Sequence, residues 1–136
     1  MLGTTKFITL EAAKKMMAAG EAEARNNGWN VAITIVDAHG GLIMFQKLDE
    51  TQPGSIAISQ GKARTAALFK RPTKALEELI AGGKTAFLAV DGIVPMQGGV
   101  PIAVDGKVIG AVGVSGVTSA QDEQVAMAAA AVVNGM

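Results

Sequence analysis

The sequence predicts an α+β domain in which one antiparallel sheet is covered by helices. Three observations point there. Apolar positions recur at helical spacing near both ends of the chain. The β-rich runs between them come in pairs joined by short glycine-containing turns. The long helical crossovers that a parallel sheet requires are missing from those pairs. The expected order is α-β-β-α-α-β-β-β-α, which makes about five strands.

Thr9 is placed to cap a first helix from about Leu10 to Asn27, where Leu10, Ala13, Met17, Gly20 and Ala24 form one apolar stripe. "VAITIVD" (31–37) and "LIMFQKL" (42–48) flank "AHGG" and read as a hairpin. After a loop at 49–54, "SIAISQGKARTAALFKR" carries Ile56, Gln60, Ala63 and Ala67 on one helical face, and Pro72 ends that helix at Arg71. Thr73 then caps a shorter helix, "KALEELIA", closed by Gly82 and Gly83. "TAFLAV" (85–90) reads as a short strand. "GGVPIAV" and "KVIGAVGVS" flank Asp105-Gly106, a dipeptide suited to a two-residue hairpin turn. Ser119 and Asp122 make a capping box for a last helix that runs to about Val133.

The 136 residues fit a single domain spanning 1–136. Twelve basic residues balance twelve acidic ones, so no global field favours nucleic acid or an anionic membrane as partner. Cysteine is absent, which excludes disulfides, thiolate metal sites and thiol catalysis. The apolar run "VAMAAAAVV" (125–133) falls far short of the roughly 20 residues that cross a bilayer. The first fifteen residues lack the basic start and apolar stretch of a secretory signal, so the expected location is cytoplasmic. With 49% apolar residues, few charges and many alanines, the composition suits a subunit that buries surface against copies of itself.

Glycines at 110, 113 and 116 punctuate a strand of small apolar residues. The spacing is not the G-x-G-x-x-G of a dinucleotide fold. Gly110 and Gly113 are expected to admit a packed helix or a neighbouring subunit. Gly116 and Ser115 lie at the N-terminus of the last helix, where an anion such as a carboxylate is favoured, although Asp122 opposes a strongly charged guest. "PMQGGVP" (95–101) pairs rigid prolines with the open backbone of Gly98 and Gly99, so it is either a binding loop or a strand-entry turn.

His39 is the single histidine. It cannot build a zinc site alone, so it is an exposed turn residue or an axial ligand to haem or a corrinoid, where the macrocycle supplies four donors. Met96 is the best-placed thioether by the same reasoning. Lys62, Arg64, Lys70 and Arg71 form a basic cluster that is either a solvated face or a cradle for carboxylates such as haem propionates. Arg64 and Arg71, seven residues apart, can point the same way, whereas Lys62 points toward the sheet or a subunit contact. No G-x-S-x-G, H-E-x-x-H or cysteine nucleophile suggests an enzyme. The alternative is a small catabolic enzyme that acts on a carboxylate or hydroxy acid, using the Gly98–Gly99 loop and the Ser115 turn.

"DAHGG", "GKARTAALFKRPT", "GGVPIAVDGKVIGAVGVSG" and "QDEQVAMAAA", in that order, resemble the GlcG/HbpS family, also met as the C-terminal domain of PduO-type cobalamin adenosyltransferases. The resemblance runs from about residue 8 to 133. It implies a profilin-like three-layer arrangement with a sheet of about five strands, a homo-oligomer, and a haem- or tetrapyrrole-binding role accessory to small-molecule utilisation of the diol, glycerol or glycolate type. Its family-like positions are Asp37, Gly40, Lys62, Ala63, Thr65, Gly98, Gly99, Pro101, Gly110, Gly113, Ser115, Gly116 and Asp122. Because the adenosyltransferase likeness covers only that C-terminal domain, it does not carry transferase activity.

Overall fold

The structure, a computed structural model, describes residues 1–134 and 136. In chain order it contains α1 (Leu10–Asn26), β1 (Ala32–Asp37), β2 (Leu42–Lys47), α2 (Ser55–Phe69), α3 (Thr73–Ala81), a 3₁₀ turn (Thr85–Ala89), β3 (Gly99–Val104), β4 (Lys107–Ser115) and α4 (Ser119–Asn134). The sheet has four strands in the order β2-β1-β4-β3, and every neighbouring pair is antiparallel.

Side-chain alternation divides the sheet into two unlike faces. Ile33 and Ile35 of β1 and Val112 and Val114 of β4 join Met16 and Met17 of α1 and Val125, Ala126 and Ala129 of α4 in the larger core. The other face offers Val36 and Ala111 to Ala63, Ala66 and Ala67 of α2. On that α2 side also runs a polar seam, with Thr34 Oγ1 and Ser59 Oγ 2.9 Å apart and Ser115 Oγ donating to Ser55 Oγ at 3.1 Å. This seam explains why Ser55 and Ser59 are buried while Ile56 and Gln60, expected on the packed face, are only half-buried. Small hydroxyls fit a helix pressed against backbone; long side chains do not.

The close approach comes from glycine. Gly99 and Gly113 are direct partners across β3 and β4. A Cβ on Gly113 would run into the Ser59 carbonyl and the Ala63 backbone, and one on Gly99 into the Lys62 carbonyl. The backbone of α2 therefore rests on the strand backbone itself. Gly110 serves different neighbours: its missing side chain leaves room for Ile8 of the N-terminal segment and for the Val36 carbonyl of β1 rather than for a helix.

Several expected details shift. Residues 85–90 form no strand, which leaves four strands rather than about five. They make the 3₁₀ turn, with Phe87 edge-on to Phe69 at 6.4 Å and Leu88 in solvent. The start of the β3 edge offers little to another strand, because Thr73 Oγ1 accepts from the Gly99 amide at 2.8 Å and Pro101 has no N–H to offer. Thr73 is thus drawn off helix capping, and Pro72 takes the N-cap position of α3. The cap of α4 is Thr118 with Gln121, each side chain accepting the other's backbone amide at 3.3 Å. α2 stops at Phe69 because Lys70 adopts a left-handed conformation, φ 55°. In α1 the Thr9 cap forms, accepting from the Ala12 amide at 3.1 Å, and Met16 replaces the exposed Leu10 in the buried stripe. The Asp105-Gly106 turn has both residues at positive φ, 53° and 76°, as a two-residue hairpin of the predicted kind requires.

Gly113→Ala should lower unfolding free energy by about 1–3 kcal/mol in urea titration, because a backbone, not a rotatable side chain, stands in the way. Gly54→Ala is the control: Gly54 has φ −59° and open space where a Cβ would go, so stability should hold or rise slightly.

Candidate functional site

The residues singled out by sequence fall on the two sides of α2. Lys62 faces inward and is 1% exposed. Its ammonium donates to Asp122 Oδ2 at 3.0 Å and to the Val114 carbonyl at 3.0 Å, tying α2 to β4 and α4. Gly98 makes the channel for that side chain, since a Cβ there would lie 2.7 Å from Lys62 Nζ and 3.0 Å from its Cδ. Gly98 also sits at φ 135°, which favours glycine.

Asp122, in the first turn of α4, accepts from the Val117 amide at 3.1 Å as well. Burial pushes its carboxyl above the ordinary aspartate range, against the opposing pull of Lys62 and of the Val117 and Gly116 amides. Each partner is buried, so each needs the other, and the pair fixes one arrangement of three elements. The anion position foreseen beside Ser115 and Gly116 is filled by this carboxylate of the chain itself. The Ser115 hydroxyl is committed to Ser55, and Gly116 is pressed against the Asn30 carbonyl. Lys62, Gly98, Gly99, Ser115 and Gly116 therefore come together as the closed inner side of α2.

The outer side is different. Asp37 Oδ1 accepts from the amides of His39 at 2.8 Å and Gly41 at 2.9 Å, which fixes the β1–β2 turn and leaves the His39 side chain exposed. That turn lies on Arg64: a Cβ on Gly40 would be 3.0 Å from Arg64 Cγ. From there Arg64 Nη1 donates to the Gly92 carbonyl at 3.1 Å. The segment 91–97 crosses α2, held where the Val94 amide donates to Thr65 Oγ1 at 2.9 Å and Val94 covers Gly61. Met96, 42% exposed, sits further along it, next to Gln97, which is tied to Glu77 and Glu123. Arg71 lies beyond the left-handed Lys70, so the helical seven-residue spacing to Arg64 does not apply. It is exposed, and its Nε donates to the Phe69 carbonyl at 3.1 Å.

The structure thus joins the His39 turn, Arg64 and Gly92 in one place; it does not tie Met96 or Arg71 to them, since Met96 precedes the Gln97 held toward Glu77 and Glu123 and Arg71 turns back on the Phe69 carbonyl. Leu68, 43% exposed, stands beside Gly40 and was missed by sequence reasoning, because a leucine in an alanine-rich helix reads as core. Among the described residues no three His, Cys, Asp or Glu side chains cluster to hold a metal ion. A metal ion carried in a macrocycle needs only one such donor, and His39 is an exposed imidazole whose turn lies on the Arg64 stem.

A four-stranded antiparallel sheet between α2 and the α1–α4 pair, with α2 sealed onto glycine and its outer side open, defines an α+β domain of the profilin-like class. The family described as "Haem degrading protein HbpS-like" matches residues 8–131, and the chain belongs to it. It is 48% identical over 112 residues to Protein GlcG of Escherichia coli (strain K12), covering 82% of this chain and 84% of that one. A crystal structure of a double mutant of Streptomyces reticuli HbpS superposes with TM-score 0.90 at 32% identity, over 97% of this chain and 90% of that one. A crystal structure of a PduOC:heme complex superposes with TM-score 0.86 at 27% identity, over 95% and 96%.

Lys62→Met should cost about 3–5 kcal/mol in denaturant unfolding by stranding the Asp122 carboxylate. Adding Asp122→Asn should restore part of that loss, because an amide needs no counter-charge yet can still accept from Val117.

Proposed function

We propose that the chain is a homo-oligomeric tetrapyrrole-binding protein of the cytoplasm, not itself an enzyme, that holds haem on the outer side of α2. His39 or Met96 contacts the iron, and Arg64 and Arg71 meet the propionates. The observation that carries this reading is the meeting of the His39 turn with Arg64 on an exposed face, in a family that includes a haem complex of closely similar fold. A corrinoid would use the same single donor and basic margin. The accessory role in a diol, glycerol or glycolate type of utilisation pathway follows from the family likeness.

The bound group would supply the metal centre; the chain supplies position and charge. Arg64 is well suited to the propionate role because its stem is packed against Gly40 and only one backbone carbonyl engages its guanidinium. Little side-chain entropy is then lost when it binds a carboxylate. Leu68, exposed alongside, offers apolar surface to a macrocycle face. The Asp37 clamp keeps the His39 backbone fixed whether or not the imidazole is engaged. The catabolic-enzyme alternative finds less support, since the Ser115 turn it would use is closed by Asp122.

Titration of the purified protein with haem, followed at the Soret band, should show saturable, stoichiometric binding. Of His39→Ala and Met96→Ala, the one that removes the iron donor should lose the ligated spectrum, and Arg64→Ala/Arg71→Ala should weaken binding by about tenfold or more, the equivalent of one lost charge-assisted contact. Weak, non-saturating binding shared equally by all these proteins would refute the reading.

A further inference from the structure

A cleft of about 620 Å³ runs between α3 and α4 and is floored by β3. Val100, Pro101, Ala75 and Ala130 make its apolar lining. Met127 of α4 also lines it yet stands 57% exposed, so an apolar knob sits on the lip of an apolar groove. Of the other α4 positions that line the cleft, Ala131 and Asn134 are exposed and uncharged, and Glu123 alone is charged. A helix face meant only for water is ordinarily charged.

We propose that this cleft is an interface between two copies of the chain, with Met127 of each copy seated in the cleft of the other. The inference deepens the oligomeric part of the proposed function by naming the surface that oligomerisation uses. Self-complementarity selects this occupant. Knob and groove belong to one patch, so a two-fold axis satisfies both at once, which is the requirement of an isologous contact. The rim likewise bears both signs, Lys74 against Glu78 and Glu123, so a copy can oppose its own patch cation to carboxylate. Lys74 is free to do so: its contact with Glu78 is long, 3.9 Å, and its side chain is 51% exposed.

Sedimentation velocity on the wild type, Met127→Glu and Lys74→Glu tests this, with circular dichroism to confirm that both variants fold. Both substitutions fall on exposed side chains. The wild type should sediment as an assembly, and each variant should shift toward smaller species with a dissociation constant raised about tenfold or more. Lys74→Glu makes the rim wholly acidic, so high salt should restore much of its association. A wild-type assembly indifferent to both substitutions would overturn this interface, leaving the cleft to a small ligand or another protein and the oligomeric reading intact. A wild type that is monomeric at every concentration would overturn both.

Discussion

Everything in this molecule is arranged around the seating of α2 directly on the backbone of β3 and β4. The Gly99–Gly113 pair removes the side chains that would hold a helix away, and the Lys62 ammonium reaches through the gap left by Gly98 to bind Asp122 and the Val114 carbonyl. Three elements distant in sequence meet at one buried charge. Close approach makes the charge inaccessible to water, and inaccessibility makes its partner obligatory. The packing of the helix and the ion pair are one constraint.

That constraint decides where function can lie. A helix pressed onto a sheet has no room for a ligand beneath it, and Asp122 fills the helix N-terminus that an external anion would otherwise occupy. The outer side of α2 is where Arg64 links the His39 turn to the segment around Gly92. The inner side is scaffold and the outer side is surface, so positions that look alike in a glycine-rich sequence carry different duties. The cleft over β3 is separate from both and lies where α3 and α4 splay apart.

Much of the fold was legible because its signals are local. The Thr9 cap, the Asp105-Gly106 turn and the β1–β2 hairpin each depend on a few consecutive residues. The glycine spacing around Gly113 announced a close approach but could not say of what, since the answer is a helix some fifty residues earlier. Residues 85–90 have an apolar composition that suits a strand or a helical turn equally, and tertiary context chose the turn. The choice of Thr118 over Ser119 as cap, and the diversion of Thr73 to Gly99, turn on single hydrogen bonds that composition does not encode. Within the site, the inward direction of Lys62 was one of two readings left open. Settling it required Gly98 and Asp122, both far along the chain. The meeting of Arg64 with the His39 turn was invisible for the same reason.

The haem site proposed above lies on the outer side of α2, and the inner side is closed by the Lys62–Asp122 pair. Amide hydrogen exchange of the protein with and without saturating haem measures this directly. The account predicts new protection at residues 38–41, along the outward positions of 61–71 and at 90–97, with 113–122 unchanged. Protection appearing instead at Ser115, Gly116 and Val117, with the His39 turn unaffected, would contradict it.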